Sequence, residues 1–79
     1  LERLKSRLLR ATLENVASPS LIPFIRRAAN EAAALAWLEP HPLLVFPALF
    51  EEKTAAARRQ HHKQNLIRSR SQVLVEVTA

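Results

Sequence analysis

A chain of 79 residues with twelve Lys or Arg, seven Glu and no Cys makes one small domain of net charge +5, with no disulfide to brace it. Gly, Asp, Met and Tyr are missing as well; without Gly there is no low-energy left-handed backbone position, which argues against tight β-hairpins and leaves Pro, Ser and Asn to end the helices. So short a chain needs tight helix packing, self-association or a partner to be stable, and its basic balance favours an acidic one: nucleic acid, an anionic membrane surface or an acidic protein.

The lack of Cys fits a reducing, intracellular compartment, so a cytoplasmic location is expected. The chain does not begin with Met, which reads as a fragment or processed piece of something longer. Residues 1–17 are charged throughout and lack the apolar core of a secretory signal. Residues 32–50 are apolar, but Glu39, His41 and three prolines interrupt them, which argues against a transmembrane helix.

Residues 1–17 have the period of an amphipathic helix. Leu1, Leu4, Leu8, Leu13 and Val16 share one arc, while Arg3, Arg7 and Arg10 form a basic stripe on the other. Arg10 has the i, i+4 spacing to pair with Glu14. Ser18-Pro19-Ser20 breaks the pattern, and Ser20 is the better N-cap for the next helix, because it leaves Pro23 in the first turn. That second helix is predicted over 21–38, with Leu21, Phe24, Ile25, Ala28, Ala29, Ala32, Leu35 and Ala36 on its core face. The alanines let a neighbour approach closely and have the highest helix propensity, so this helix is expected to be the central, most enclosed element. Trp37 falls on the polar arc instead. Either the segment 43–46 folds back over it, or it anchors a partner.

Residues 37–50 hold the only Trp, two of the three Phe and three of the five Pro. Prolines break helices, and the residue before each is pushed out of helical geometry. The segment is therefore predicted to be a buried corner, with a third helix starting at Pro47 or Ala48. The expected core is Phe24, Ala28, Leu35, Leu44, Phe46 and Phe50. From Ala48 to the end nothing forces the third helix to stop. Its later apolar residues, Leu66, Ile67, Val73, Leu74 and Val77, lie on an arc rotated by roughly 100° from that of Leu49–Ala57. A short strand over Val73–Val77 is the rival reading of the tail, and the tail stays open between the two. The expected fold is thus an all-α, three-helix domain with a proline-rich corner and a long basic C-terminal helix.

No motif for chemistry stands out. Adjacent His61 and His62 point about 100° apart on a helix and cannot easily chelate one ion, and there is no Cys or Asp to complete a site. A nucleophile elbow and a phosphate-binding loop both need Gly. No cofactor, metal or catalytic residue is therefore expected, and the chain reads as non-enzymatic. The outstanding feature is the run Arg58, Arg59, His61, His62, Lys63, Arg68 and Arg70, uninterrupted by acid between Glu52 and Glu76. Cations at this density suit phosphate contacts, with Gln60, Gln64 and Asn65 interleaved as hydrogen-bonding groups. The first expectation is a nucleic-acid-binding module that grips phosphates with Arg58, Arg59, His62, Lys63, Arg68 and Arg70, joined by Arg3, Arg7 and Arg10 if the first helix lies alongside. The alternative is a protein-interaction or assembly subunit, a homo-oligomer or part of a complex, with Trp37, Leu66, Val73, Leu74 and Val77 at the contact.

Overall fold

The structure, a computed structural model, describes residues 1–78, with side chains through residue 70. It is all-α. Helix α1 runs Glu2–Glu14, a 3-10 turn Pro19–Leu21 leads into α2, Ile22–Ala36, and α3 runs Pro42–Thr78. No strand occurs among the described residues, and the tail that left strand and helix open continues α3 to Thr78.

The helix boundaries follow from the missing glycines. No described residue has positive φ. Helix α1 closes instead at Asn15, whose Nδ2 donates to the Ala11 carbonyl at 3.1 Å. The expected Arg10–Glu14 pair is not made; the ion pair among the described residues is Lys5 with Glu2, at 3.9 Å. Ser20 does not cap α2, since Leu21 occupies that position and no side chain bonds there; the Ser20 hydroxyl is bonded to α3 instead.

Helix α2 is the centre of the molecule. Ile25, Ala28, Ala29, Ala32, Ala33 and Ala36 are buried along it. The buried arc is turned toward Ala33 relative to the sequence expectation, because α1 packs on that side, where its Leu9 and Leu13 lie beside Arg26. Leu35 is correspondingly left 38% exposed and Phe24 half-buried.

The main correction concerns the corner. Helix α3 begins at Pro42, not at Pro47, and Pro47 lies inside it. Pro42 suits a first helical position, where its preset φ helps and no donor is missed. Pro47 removes one hydrogen bond to Leu43, within the exposed first turns. What offsets this loss is register. Only a helix continuous through Pro47 puts Phe46 and Phe50 four residues apart on one face, with ring centroids at 5.8 Å, both buried against Ala29, Ala32, Ala33 and Ala36. The same stripe continues through buried Thr54 and half-buried Ala57 to buried His61. Thr54 satisfies its hydroxyl by donating to the Phe50 carbonyl at 2.8 Å and the Glu51 carbonyl at 3.2 Å.

The rest of the corner is not core. Leu43 is 58%, Leu44 77% and Trp37 62% exposed, so nothing folds back over the indole. Of the six expected core residues, Ala28, Phe46 and Phe50 are buried, Phe24 is partly covered, and Leu35 and Leu44 are exposed. Helix α1 completes the domain with half-buried Leu1, Leu4, Leu8 and Leu9 laid on the same cluster.

Phe46→Ala or Phe50→Ala should remove about 3–5 kcal/mol, enough to unfold a domain of this size. Leu44→Ala, at an exposed site, should change stability by less than about 0.5 kcal/mol. Circular dichroism melts of the three variants check the contrast, and a Phe46→Ala protein as stable as the parent would contradict the packing described.

Candidate nucleic-acid interface

The packed stripe of α3 ends at His61. Every residue from His62 to Arg70 is exposed. At 1.5 Å per residue, the 37 residues of α3 span roughly 55 Å, which accounts for the 57 Å long axis of a molecule only 24 × 13 Å in its other dimensions. Helix α3 is therefore half hairpin partner, half projecting arm.

Helical spacing places the cations. With the stripe Phe46–Phe50–Thr54–Ala57–His61 facing α2, Arg59, His62, Lys63 and Arg70 fall on the opposite face, and Arg58 flanks them, an arc of roughly 140° in all. These side chains are exposed. Arg68 lies in line with the packed stripe but past the end of α2, and it too is exposed. Leu66, 47% exposed, sits among the cations, and Ile67, 55% exposed, stands to one side of them. Arg59 and Lys63 line a shallow groove with Gln60, Gln64 and Ile67.

The first helix does not lie alongside the arm. Arg3 and Arg7 share a groove with Leu1, Leu4 and Leu43, at the hairpin tip. From Leu43, α3 rises roughly 22 Å to Arg58 and 40 Å to Arg70. Arg10 lies near Arg26, on the α1–α2 side. The stripe Arg3–Arg7–Arg10 is a separate basic surface. Among the residues expected at a partner contact, Trp37 is at the tip and Leu66 on the arm, again about 35 Å apart along α3, so the two do not share one surface. The side chains of Val73, Leu74 and Val77 lie outside the described residues.

His61 is the residue the sequence reading misplaced. Grouped there with the cationic run, it is buried. Its ring stands edge-on to Phe24, with centroids at 5.4 Å and planes at 73°. Its Nε2 is 2.7 Å from the Ser20 hydroxyl, which in turn is 2.9 Å from that of Ser18. The interhelical turn is thereby fastened to α3 at the level where the arm leaves the hairpin. The one sequence signal was the spacing itself, since His61 continues the Phe46–Phe50–Thr54–Ala57 stripe. His62 points to solvent, so the two histidines face different surroundings.

The cleft between α2 and α3, bounded by Arg27, Glu31, Lys53 and Gln60, holds about 120 Å³, below the roughly 300–1,000 Å³ of small-molecule sites. Larger and more open depressions, of about 370–520 Å³, lie on the surface of α1, between α1 and Arg26 of α2, between α1 and Leu43 of α3, and along the arm. Among the described residues no group of three or more His and Glu is placed to hold a metal ion, and no helix is long and apolar enough to cross a membrane. Comparison with protein-family models, curated proteins and solved structures gave no match.

Removing the Ser20 hydroxyl takes the protein partner from a part-buried nitrogen of His61. Ser20→Ala is expected to cost about 0.5–1.5 kcal/mol. In a His61→Phe background, which keeps the ring on Phe24 and removes the nitrogen, the same change should cost less than about 0.5 kcal/mol. Urea unfolding of the four proteins in this cycle measures the coupling, and equal costs in both backgrounds would show that the bond contributes nothing.

Proposed function

We propose that the chain is a non-catalytic nucleic-acid-binding module whose working part is the projecting arm of α3. The observation that carries this reading is the coincidence of exposure and charge. Arg59, His62, Lys63 and Arg70 occupy the helix face turned away from α2, with Arg58 beside them and Arg68 exposed on the opposite side beyond the end of α2, in a stretch free of acid between Glu52 and Glu76. A helix without side-chain cover fits the width of a duplex major groove, and Arg forks onto phosphate oxygens. The hairpin holds the base of the arm, so much of the ordering that an isolated basic helix would undergo on binding is already done.

The chemistry favours affinity over sequence reading. Phosphate contacts position a protein without carrying sequence information. Gln64 lies on the side of the arm away from the cationic arc, with Asn65 between, and aromatics for base stacking are absent from 58–70. Arg3, Arg7 and Arg10 are left out of this grip because Arg3 and Arg7 sit with Leu43 at the hairpin tip and Arg10 sits beside Arg26 on the α1–α2 side.

Binding to duplex DNA or RNA should therefore weaken steeply with salt, with a log–log slope of roughly −4.5 if about five cations each neutralise a phosphate. Arg58→Ala, Arg59→Ala and Lys63→Ala should each flatten that slope by about 0.9 and weaken all sequences alike. Arg3→Ala and Arg7→Ala should leave it unchanged. Titration of labelled duplexes at two salt concentrations decides the matter: a folded protein that binds neither duplex at low salt removes this reading.

A further inference from the structure

We propose that the hairpin tip is a self-association surface, occupied by the tip of a second copy of this chain about a two-fold axis. Where α2 turns into α3, Leu35 is 38%, Trp37 62%, Leu38 80%, Leu43 58% and Leu44 77% exposed. With up to about 250 Å² for an indole side chain and less for a leucine, these fractions sum to roughly 600 Å² of apolar surface left in water around the turn. Two such tips laid together can bury up to about 1,200 Å² from these side chains, the lower edge of specific, stable interfaces.

The rim of the patch decides what covers it. Glu39 lies in the turn, and Arg3 and Arg7 share a groove with Leu43. A surface that carries both signs matches itself, since a two-fold axis sets Glu39 of each copy against the arginine side of the other. An anionic lipid surface would attract the arginines and repel Glu39 in the turn. The domain also gains most from a second copy. Among the described residues its core has two large, fully buried side chains, Phe46 and Ile25, the condition in which small scaffolds rely on association. Joined at the tips, the two arms lead away from the joint and stay free. Self-association at the tip is therefore independent of nucleic-acid binding on the arm, and a polyanion-binding dimer would be bivalent.

Sedimentation velocity across roughly 1–100 µM should show the mass doubling, with emission of the single Trp37 moving to shorter wavelength in step. Leu38→Asn and Leu44→Asn lie outside the core and should keep the circular dichroism spectrum, yet each should weaken the dimer at least about tenfold. Leu66→Asn and Lys63→Ala, on the arm, should leave the dimer unchanged even where Lys63→Ala weakens nucleic-acid binding. A monomer at every concentration overturns the proposal. So does a dimer that survives both tip substitutions or is lost with Leu66→Asn. A monomer whose Trp37 emission shifts only on adding phosphatidylcholine–phosphatidylserine vesicles also overturns it, and assigns the tip to lipid instead.

Discussion

The fold rests on two phenylalanines set into a track of alanines. Phe46 and Phe50 fill the groove that Ala29, Ala32, Ala33 and Ala36 leave open on α2. The match works in both directions. Alanines alone bury too little apolar surface to hold two helices together, and the rings would find no room against larger side chains. Each ring removed from water is worth about 1.5–3 kcal/mol, a large share of the margin of a small domain. Other features depend on this pair. It fixes the helical phase of α3, and with it the direction of the arm's charges. It supports the leucines of α1, none of which is fully buried. It also explains why a proline persists inside a helix, since interrupting α3 at Pro47 would turn Phe46 away from Phe50.

Much of this is legible in the sequence where period and composition agree. The number of helices and the central role of the alanine-rich α2 follow from spacing, and the apolar, aromatic composition of 43–50 marks Phe46 and Phe50 for burial. The corner misleads because two local rules conflict there. Proline chemistry argues for a break at Pro47, whereas the i, i+4 pair Phe46–Phe50 argues for continuity. The energy of burial exceeds that of one lost hydrogen bond. Hydropathy misleads at Leu44 in turn, because an apolar side chain out of phase with a packed stripe faces water.

The candidate interface is legible as a charge run and illegible as a surface. Composition identifies Arg58 to Arg70, but which of them face away from the hairpin depends on where α2 ends, a fact about length and alignment that no local pattern encodes. His61 is hidden for a related reason. Among Arg and Lys it counts as one more cation, and only its place on the extended stripe, opposite Phe24 and Ser20, makes it a packed and hydrogen-bonded group. Charge alone groups Arg3, Arg7 and Arg10 with the arm, and the packing of α1 on the hairpin, with Arg3 and Arg7 beside Leu43 and Arg10 beside Arg26, separates them.

Because α3 crosses the level of His61 without interruption, core and arm are held in a single rotational phase, as marks on one shaft. A residue inserted ahead of His61 would break the match between phenylalanines and alanines. One inserted just after it would leave the hairpin untouched, lengthen the arm by about 1.5 Å and swing its cationic face by about 100°. Three or four inserted residues would nearly restore the original orientation while extending the reach by a whole turn. The boundary at His61 thus separates a segment whose length is fixed by packing from one whose length and aim can be retuned independently.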